Sequence, residues 1–165
     1  MLIPNERGDA RGLRKEEERQ TIMADQNVDE LAAMIYGEVG NKDFNTMAKV
    51  GSTAIKRAAY GGEFGDNIID VIHSERSPYY AVKNNTDMYQ QARSGKFPNA
   101  DSENQYKMAR QAAYSLISGN IDAEDVMFFF TPKEDSRQHK AGKKVFDYGK
   151  VRSTIKDDTY NYYSY

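Results

Sequence analysis

The stretch Met34-Ile35-Tyr36-Gly37-Glu38-Val39-Gly40, MIYGEVG, decides how this chain is read. It closes a segment whose apolar residues Val28, Leu31, Ala32, Ile35 and Val39 recur at helical spacing. Asn27 with Glu30 three positions on forms a capping-box arrangement, which predicts a helix starting after Asn27. At about 100° per residue Glu38 falls between Leu31, Met34 and Ile35, so its carboxylate emerges in the apolar stripe. A charged carboxyl there is costly. It must bend out to solvent, pair with a buried Lys or Arg, or hold its proton with a raised pKa and work as an acid. Gly37 beside it costs about 1 kcal/mol against alanine in a helix interior, unless something approaches the backbone closely.

Outward from this stretch, the pattern predicts a second helix over Phe44 to Tyr60. Met47, Gly51, Ala54 and Ala58 form one line there, small enough for close packing on another helix. Gly61 and Gly62 end it, and Asp66 is the expected cap of a short helix over NIIDVIH. HSERSPYYAV, residues 73 to 82, reads as loop. A helix over Asp87 to Ser94 follows, then one over Glu103 to Ser118, capped by Ser102 and stopped by Gly119. VMFFFTP, residues 126 to 132, is too short for a helix before Pro132 and rich in strand formers. KEDSRQHKAGKK, residues 133 to 144, reads as polar loop. The final segment predicts one or two strands around a turn at Asp157 and Asp158. The expected fold is α+β and helix-dominated, with a small late antiparallel sheet.

The 165 residues suit one domain, divided as a charged arm, residues 1–26, and a domain over 27–165 ending in a tyrosine-rich tail. The arm has no sustained periodicity and no apolar h-region, so it is not read as a secretory signal, and export by the standard route is not expected. Twenty-three Lys and Arg against 25 Asp and Glu leave a net charge of −2, so no global field favours nucleic acid or an anionic membrane. No apolar run reaches the roughly 20 residues that a bilayer demands. The absence of cysteine removes disulfides, cysteine nucleophiles and zinc ribbons. His73 and His139 lack metal-ligand spacing, no glycine-rich phosphate loop follows a strand, and no Ser/His/Asp motif is present, so neither cofactor nor metal is expected. Twelve tyrosines without a tryptophan tilt the chain toward polar aromatic surface, suited to sugars and interfaces.

ELAAMIYGEVG, FNTMAKVGSTAIKRA, GDNIIDVIHSERSPYYAV and QYKMARQAAYSLISGNIDAEDVMFFFTP, in this order and spacing, resemble the cell wall hydrolases of the spore-cortex-lytic type. The resemblance covers roughly residues 30 to 132, with YGE and VGSTAIKR its most specific parts and a possible closing match in DTYNYYSY. It implies a lysozyme-like, lytic transglycosylase fold and peptidoglycan cleavage, with the glutamate of YGE, Glu38, as catalytic acid. The chain departs from the family at Lys42, where a second glutamate is usual, with Asp43 next door; at Pro78 and Tyr79, for a glutamine and phenylalanine; and at Thr131, for an asparagine.

That chemistry requires a proton on the oxygen of the β-1,4 bond between N-acetylmuramic acid and N-acetylglucosamine, and a carboxyl kept neutral by its surroundings can supply it. A transglycosylase needs no second carboxylate, because the muramic acid's own 6-hydroxyl closes a 1,6-anhydro ring. A hydrolase would recruit water and a second acid such as Asp43. Tyr36, Tyr79, Tyr80, Phe129 and Tyr160 are candidates to stack on sugar faces, as is Tyr162, with Thr131 and Ser77 lining the groove. The expected partners are glycan strands of peptidoglycan. Further expected partners are other phage virion proteins, docked through the arm and tail of a virion wall-opening protein, or of a lysin held in the host cytoplasm until a holin releases it. The alternative is a non-enzymatic virion protein that keeps the lysozyme-like scaffold.

Overall fold

The computed structural model describes residues 6–141 and 146–165. Its axis is α1, Glu6–Val39, against which α2 (Phe44–Tyr60), α3 (Ile68–His73), α4 (Tyr80–Lys83), α5 (Asp87–Ser94) and α6 (Ala100–Ser118) all pack. From Leu31 to Tyr36 every residue of α1 is buried, so this segment is a central helix enclosed on all sides rather than a surface helix with one apolar stripe. Met47, Val50 and Ala54 of α2, Ala109, Ala113 and Leu116 of α6, and Val71 and Ile72 of α3 complete the core. A methyl added at Gly51 would sit 2.7 Å from Leu116 Cδ1 and 2.8 Å from Ile35 Cδ1, so the small residues of α2 do serve close packing.

A three-stranded antiparallel sheet, order β1-β3-β2, closes the chain, from β1 (Phe128–Phe130), β2 (Ser153–Lys156) and β3 (Asn161–Ser164). Phe129 faces Tyr162 across β1 and β3, and Ile155 faces Tyr162 across β2 and β3. The architecture is the helix-dominated α+β fold with a late sheet that the sequence pattern predicts.

Several boundaries differ from expectation, each for a local reason. Helix α1 begins at Glu6, not after Asn27, and runs unbroken through the expected arm, whose residues 1–5 lie outside the described residues. Arg, Lys, Glu and Gln are good helix formers without any apolar period, and Arg19 bridges Glu16 at 2.6 Å. The cap of α3 is Asn67 rather than Asp66, its side chain accepting from the Asp70 N–H at 2.9 Å. Helix α6 starts three residues early because Asn99 accepts from the Ser102 N–H at 2.8 Å. The expected loop at 73–82 contains the start of α4.

The expected loop over 133–144 is helix α7, Pro132–Ala141, as far as residue 141, the rest lying outside the described residues. Thr131 Oγ1 accepts from the Glu134 N–H at 3.2 Å, and Pro132 takes the first helical position, where a missing N–H does no harm. Asp135 pins this helix to the sheet, accepting from Tyr163 Oη at 2.5 Å, Asn161 Nδ2 at 2.6 Å and the Tyr148 hydroxyl. The tyrosine-rich tail is therefore part of the sheet. Tyr162 and Tyr163 are buried on the central strand, whereas Tyr160 and Tyr165 are partly exposed.

A second cluster, Phe64, Met127, Phe128, Phe146 and Tyr163, sits beneath the sheet. Arg57 of α2 enters it with its guanidinium 5.0 Å from the Phe64 ring centre and 4.6 Å from that of Phe128. Its Nε donates to the Met127 carbonyl at 2.7 Å, fixing the entry to β1.

Candidate active site

Glu38 lies one residue before the C-terminus of α1, half-buried. The neighbouring glycine explains what stands beside it. A methyl at Gly37 would sit 2.7 Å from Cβ of Ala81 and 3.3 Å from Cβ of Tyr89, so α4 and α5 approach the α1 backbone as only glycine allows. That approach brings the Ala81 N–H to Glu38 Oε1 at 2.8 Å. Burial opposes the charged carboxylate more strongly than this one hydrogen bond favours it, and the pKa is pushed from 4.5 up to about 7. Of the three fates open to a carboxyl in an apolar stripe, Glu38 has the third. Among the described residues no Lys or Arg pairs with it, so nothing holds it permanently ionised.

A Gly37→Ala variant tests the close approach. Alanine would gain about 1 kcal/mol in helix propensity, but overlap with the rigid Ala81 methyl costs about 1–3 kcal/mol. Thermal melting should show a net loss, with Ala81 drawn off the carboxylate. A variant as stable as the parent would refute the constraint.

Three aromatic residues from distant segments gather by the carboxyl. Tyr160, half-buried ahead of β3, has its hydroxyl pKa raised by burial first and by the Glu38 charge next. Phe129 of β1 packs edge-on to Tyr160 at 5.1 Å and stacks on Tyr79 at 6.3 Å. Burial likewise raises Tyr79, with a smaller push from Glu38. Tyr79 is fully enclosed, its hydroxyl 2.8 Å from Thr53 Oγ1, so it supports the wall from behind rather than offering a face to a sugar. Tyr80, 67% exposed and adjacent to Ala81, is free to present its ring.

The remaining expected contacts fall elsewhere. Tyr36 is only 1% exposed, with its hydroxyl on Gln91 Oε1 at 2.9 Å and its ring edge-on to Phe97 and Tyr106. Two positions before Glu38, it points to another side of α1, and it belongs to the core rather than to a binding surface. Thr131 is the cap of α7, and Ser77 is buried, accepting from the Tyr79 N–H at 3.3 Å. Tyr162 is buried and donates to Asp157 Oδ2 at 2.9 Å.

Neither nearby aspartate is free to act as a second acid. Asp43 caps α2, accepting from the Thr46 N–H at 2.8 Å, and that bond holds it below the ordinary carboxylate range. Burial opposes the Asp157 charge, but the Tyr160 and Thr159 N–H groups, the Tyr162 hydroxyl and Lys49 outweigh it and keep Asp157 ionised. Sequence reading alone misses Ala81 and Asp157. A backbone donor leaves no residue signature, and Asp157 reads as an ordinary turn aspartate.

Between the α1–α2 turn and the β2–β3 turn lies a depression of about 220 Å³ walled by Lys42, Asn45, Lys49, Asp157 and Thr159. Tyr160 connects it to Glu38, since its backbone N–H bonds Asp157 while its hydroxyl feels both carboxylates. Among the described residues no group of His, Asp and Glu side chains converges as a metal site, and no helix is long and apolar enough to cross a membrane. No protein-family model matches the chain, and no curated protein or solved structure matches it either.

Proposed function

We propose that this chain is a peptidoglycan lytic transglycosylase of lysozyme-like fold, cleaving the MurNAc-GlcNAc β-1,4 bond with Glu38 as the sole general acid and base. The observation that carries the reading is Glu38 itself: a half-buried carboxyl, unpaired by any described cation, raised to about 7, bonded to the Ala81 N–H next to exposed Tyr80 and near enough to Tyr160 for its charge to raise that hydroxyl. At neutral pH such a group is divided between its acid and base forms, as a residue that must play both parts requires. Glu38 gives its proton to the glycosidic oxygen as the C1–O bond breaks, and the substrate's acetamido group shields the developing positive charge. The resulting carboxylate then takes the proton of the muramic 6-hydroxyl as that oxygen bonds C1. The product is a 1,6-anhydro sugar, and Glu38 returns to its acid form.

The commitment of Asp43 and Asp157 to backbone and side-chain donors favours this route over hydrolysis, for which a second carboxylate is the usual partner. In this reading the protein opens the wall for a phage, as a lysin or as part of the virion. A purely structural virion role is the second reading, favoured by the exposed stretch of α1 from Ala10 to Gln26.

Digestion of purified peptidoglycan followed by mass spectrometry tests the proposal. Expected products are muropeptides one water lighter than hydrolytic ones, and absent with Glu38→Gln. Products of hydrolytic mass would replace the transglycosylase by a hydrolase. A wild-type protein that releases nothing would leave the structural reading.

A further inference from the structure

Glu30 is buried, and because α1 runs unbroken past Asn27 it caps nothing. Its carboxylate is instead the meeting point of two other helices. Oε1 lies 2.5 Å from Nε2 of His73, the last residue of α3, and accepts from the Tyr89 hydroxyl of α5 at 2.8 Å. Oε2 pairs at 2.8 Å with Nη1 of Arg93, about one turn further along α5. Burial first, and then the bond to Glu30, push the Tyr89 hydroxyl up, so it stays a donor. Arg110 of α6 pairs with the adjacent Asp29 and not with Glu30.

Glu30 and Gly37 share one stripe of α1, because seven residues make about two turns, with about 10 Å between them along the axis. Tyr89 spans that interval. Its Cβ is 3.3 Å from where a methyl on Gly37 would sit, and its hydroxyl is on Glu30. Residues 74–79 join α3 to α4 and residues 84–86 join α4 to α5, so short segments tie both flanks of α4 to Glu30. A chain of bonds completes the link. Thr86 caps α5, accepting from the Tyr89 N–H at 3.4 Å, and its own N–H donates to the Ala81 carbonyl at 3.0 Å. The Ala81 N–H in turn donates to Glu38 Oε1 at 2.8 Å.

We propose that Glu30 is a positioning residue for the acid: by holding the end of α3 and both ends of α5 against α1, it seats α4 over Glu38 and keeps water from that carboxyl. Glu30 itself touches no substrate. Its effect on rate rests on Glu38 being the catalytic acid, but the seating of α4 does not. Once the tie is loosened, burial, the stronger influence on Glu38, is lost and the carboxyl falls back toward 4.5. Tyr79 and Tyr160 are titratable side chains that feel the Glu38 charge, and the test variants leave both intact.

NMR titration of chain labelled at the glutamate carboxyl carbons reads the effect without substrate, the Glu38 signal being the one missing in Glu38→Gln. Tyr89→Phe keeps the ring over Gly37 and removes one donor, His73→Ala removes the second, and Glu30→Ala removes the whole tie. The Glu38 midpoint should fall progressively, by about one unit for Tyr89→Phe combined with His73→Ala. Should Glu30→Ala fail to fold, that double variant, in which Glu30 keeps Arg93, carries the test. On peptidoglycan the alkaline limb of the rate should move down equally. A midpoint near 6 leaves about a tenth of the acid form at pH 7 where one near 7 leaves about half, so the loss there is about fivefold. A melting point that drops while the Glu38 midpoint stays put would reduce Glu30 to a structural tie and overturn the proposal. A parent that cleaves nothing would sink the transglycosylase reading, and the titration alone would then decide whether Glu30 seats α4.

Discussion

Replacing Glu38 by Gln should abolish wall cleavage and, above pH 7, leave the protein more stable than the parent. General acid catalysis contributes about 10²–10⁴ in rate, and here one group serves as acid and then base, so loss by at least the lower figure is expected. The stability effect follows from the raised pKa. Below about pH 4.5 the carboxyl is protonated in both folded and unfolded chains, and it costs the fold nothing. As pH rises toward 7 the unfolded chain ionises while the folded chain resists, so the folded state loses stability. Above 7 the penalty is complete, about 3 kcal/mol for a rise from 4.5 to about 7. Glutamine keeps an oxygen for the Ala81 N–H and carries no charge to desolvate. Denaturant midpoints should therefore separate the two proteins by about 2–3 kcal/mol at pH 8 and converge near pH 4. The rate of the parent should fall as pH rises past about 7, where the acid form is depleted. A midpoint difference independent of pH would mean that Glu38 titrates normally, and the catalytic assignment would lose its basis.

The second large effect is expected at Arg57, which is 4% exposed and has no carboxylate in ion-pair range among the described residues. Burial pulls its pKa down, and the Phe64 and Phe128 rings with the Met127 carbonyl take the place of an acid. Arg57→Ala removes the stem, the cation between the rings and the donor to Met127 together. A loss of about 3–5 kcal/mol follows from the cavity and the orphaned carbonyl, a large share of the 5–15 kcal/mol that holds a domain together. Arg57→Met fills the space and loses only the charged head, with its donor to Met127 and its contacts with the two rings, so about 1–3 kcal/mol is expected. Met127 leads into β1, so both variants should also weaken cleavage by loosening Phe129 beside Glu38. Urea unfolding decides the matter. Equal losses for Ala and Met would show that the polar head, not the volume of the stem, is what Arg57 supplies.

Legibility in the sequence followed the physics of each element. Helices α2, α5 and α6 were readable because an apolar period and a glycine stop coincide, β1 and β3 because short aromatic runs are bounded by Pro132 and by the 157–158 turn, and β2 because it leads into that turn. Helix α7 was not read, because its polar composition suggests loop, although Thr131-Pro132-Lys133-Glu134 carries a capping pattern with proline at the first position. The outer part of α1 carries propensity without period, so its start at Glu6 leaves no boundary mark.

For the site, the sequence by itself determined that Glu38 emerges among apolar neighbours beside a glycine, because helical geometry fixes which residues share a face. Tertiary structure alone decided what surrounds it. Burial where α4 and α5 close on this end of α1, chosen by long-range packing, raised its pKa. The same packing turned Tyr36 into core, put Tyr79 behind the wall and brought Tyr160, 122 positions along the chain, to its side. Local periodicity says which way a side chain points; only the closed fold says what it meets there.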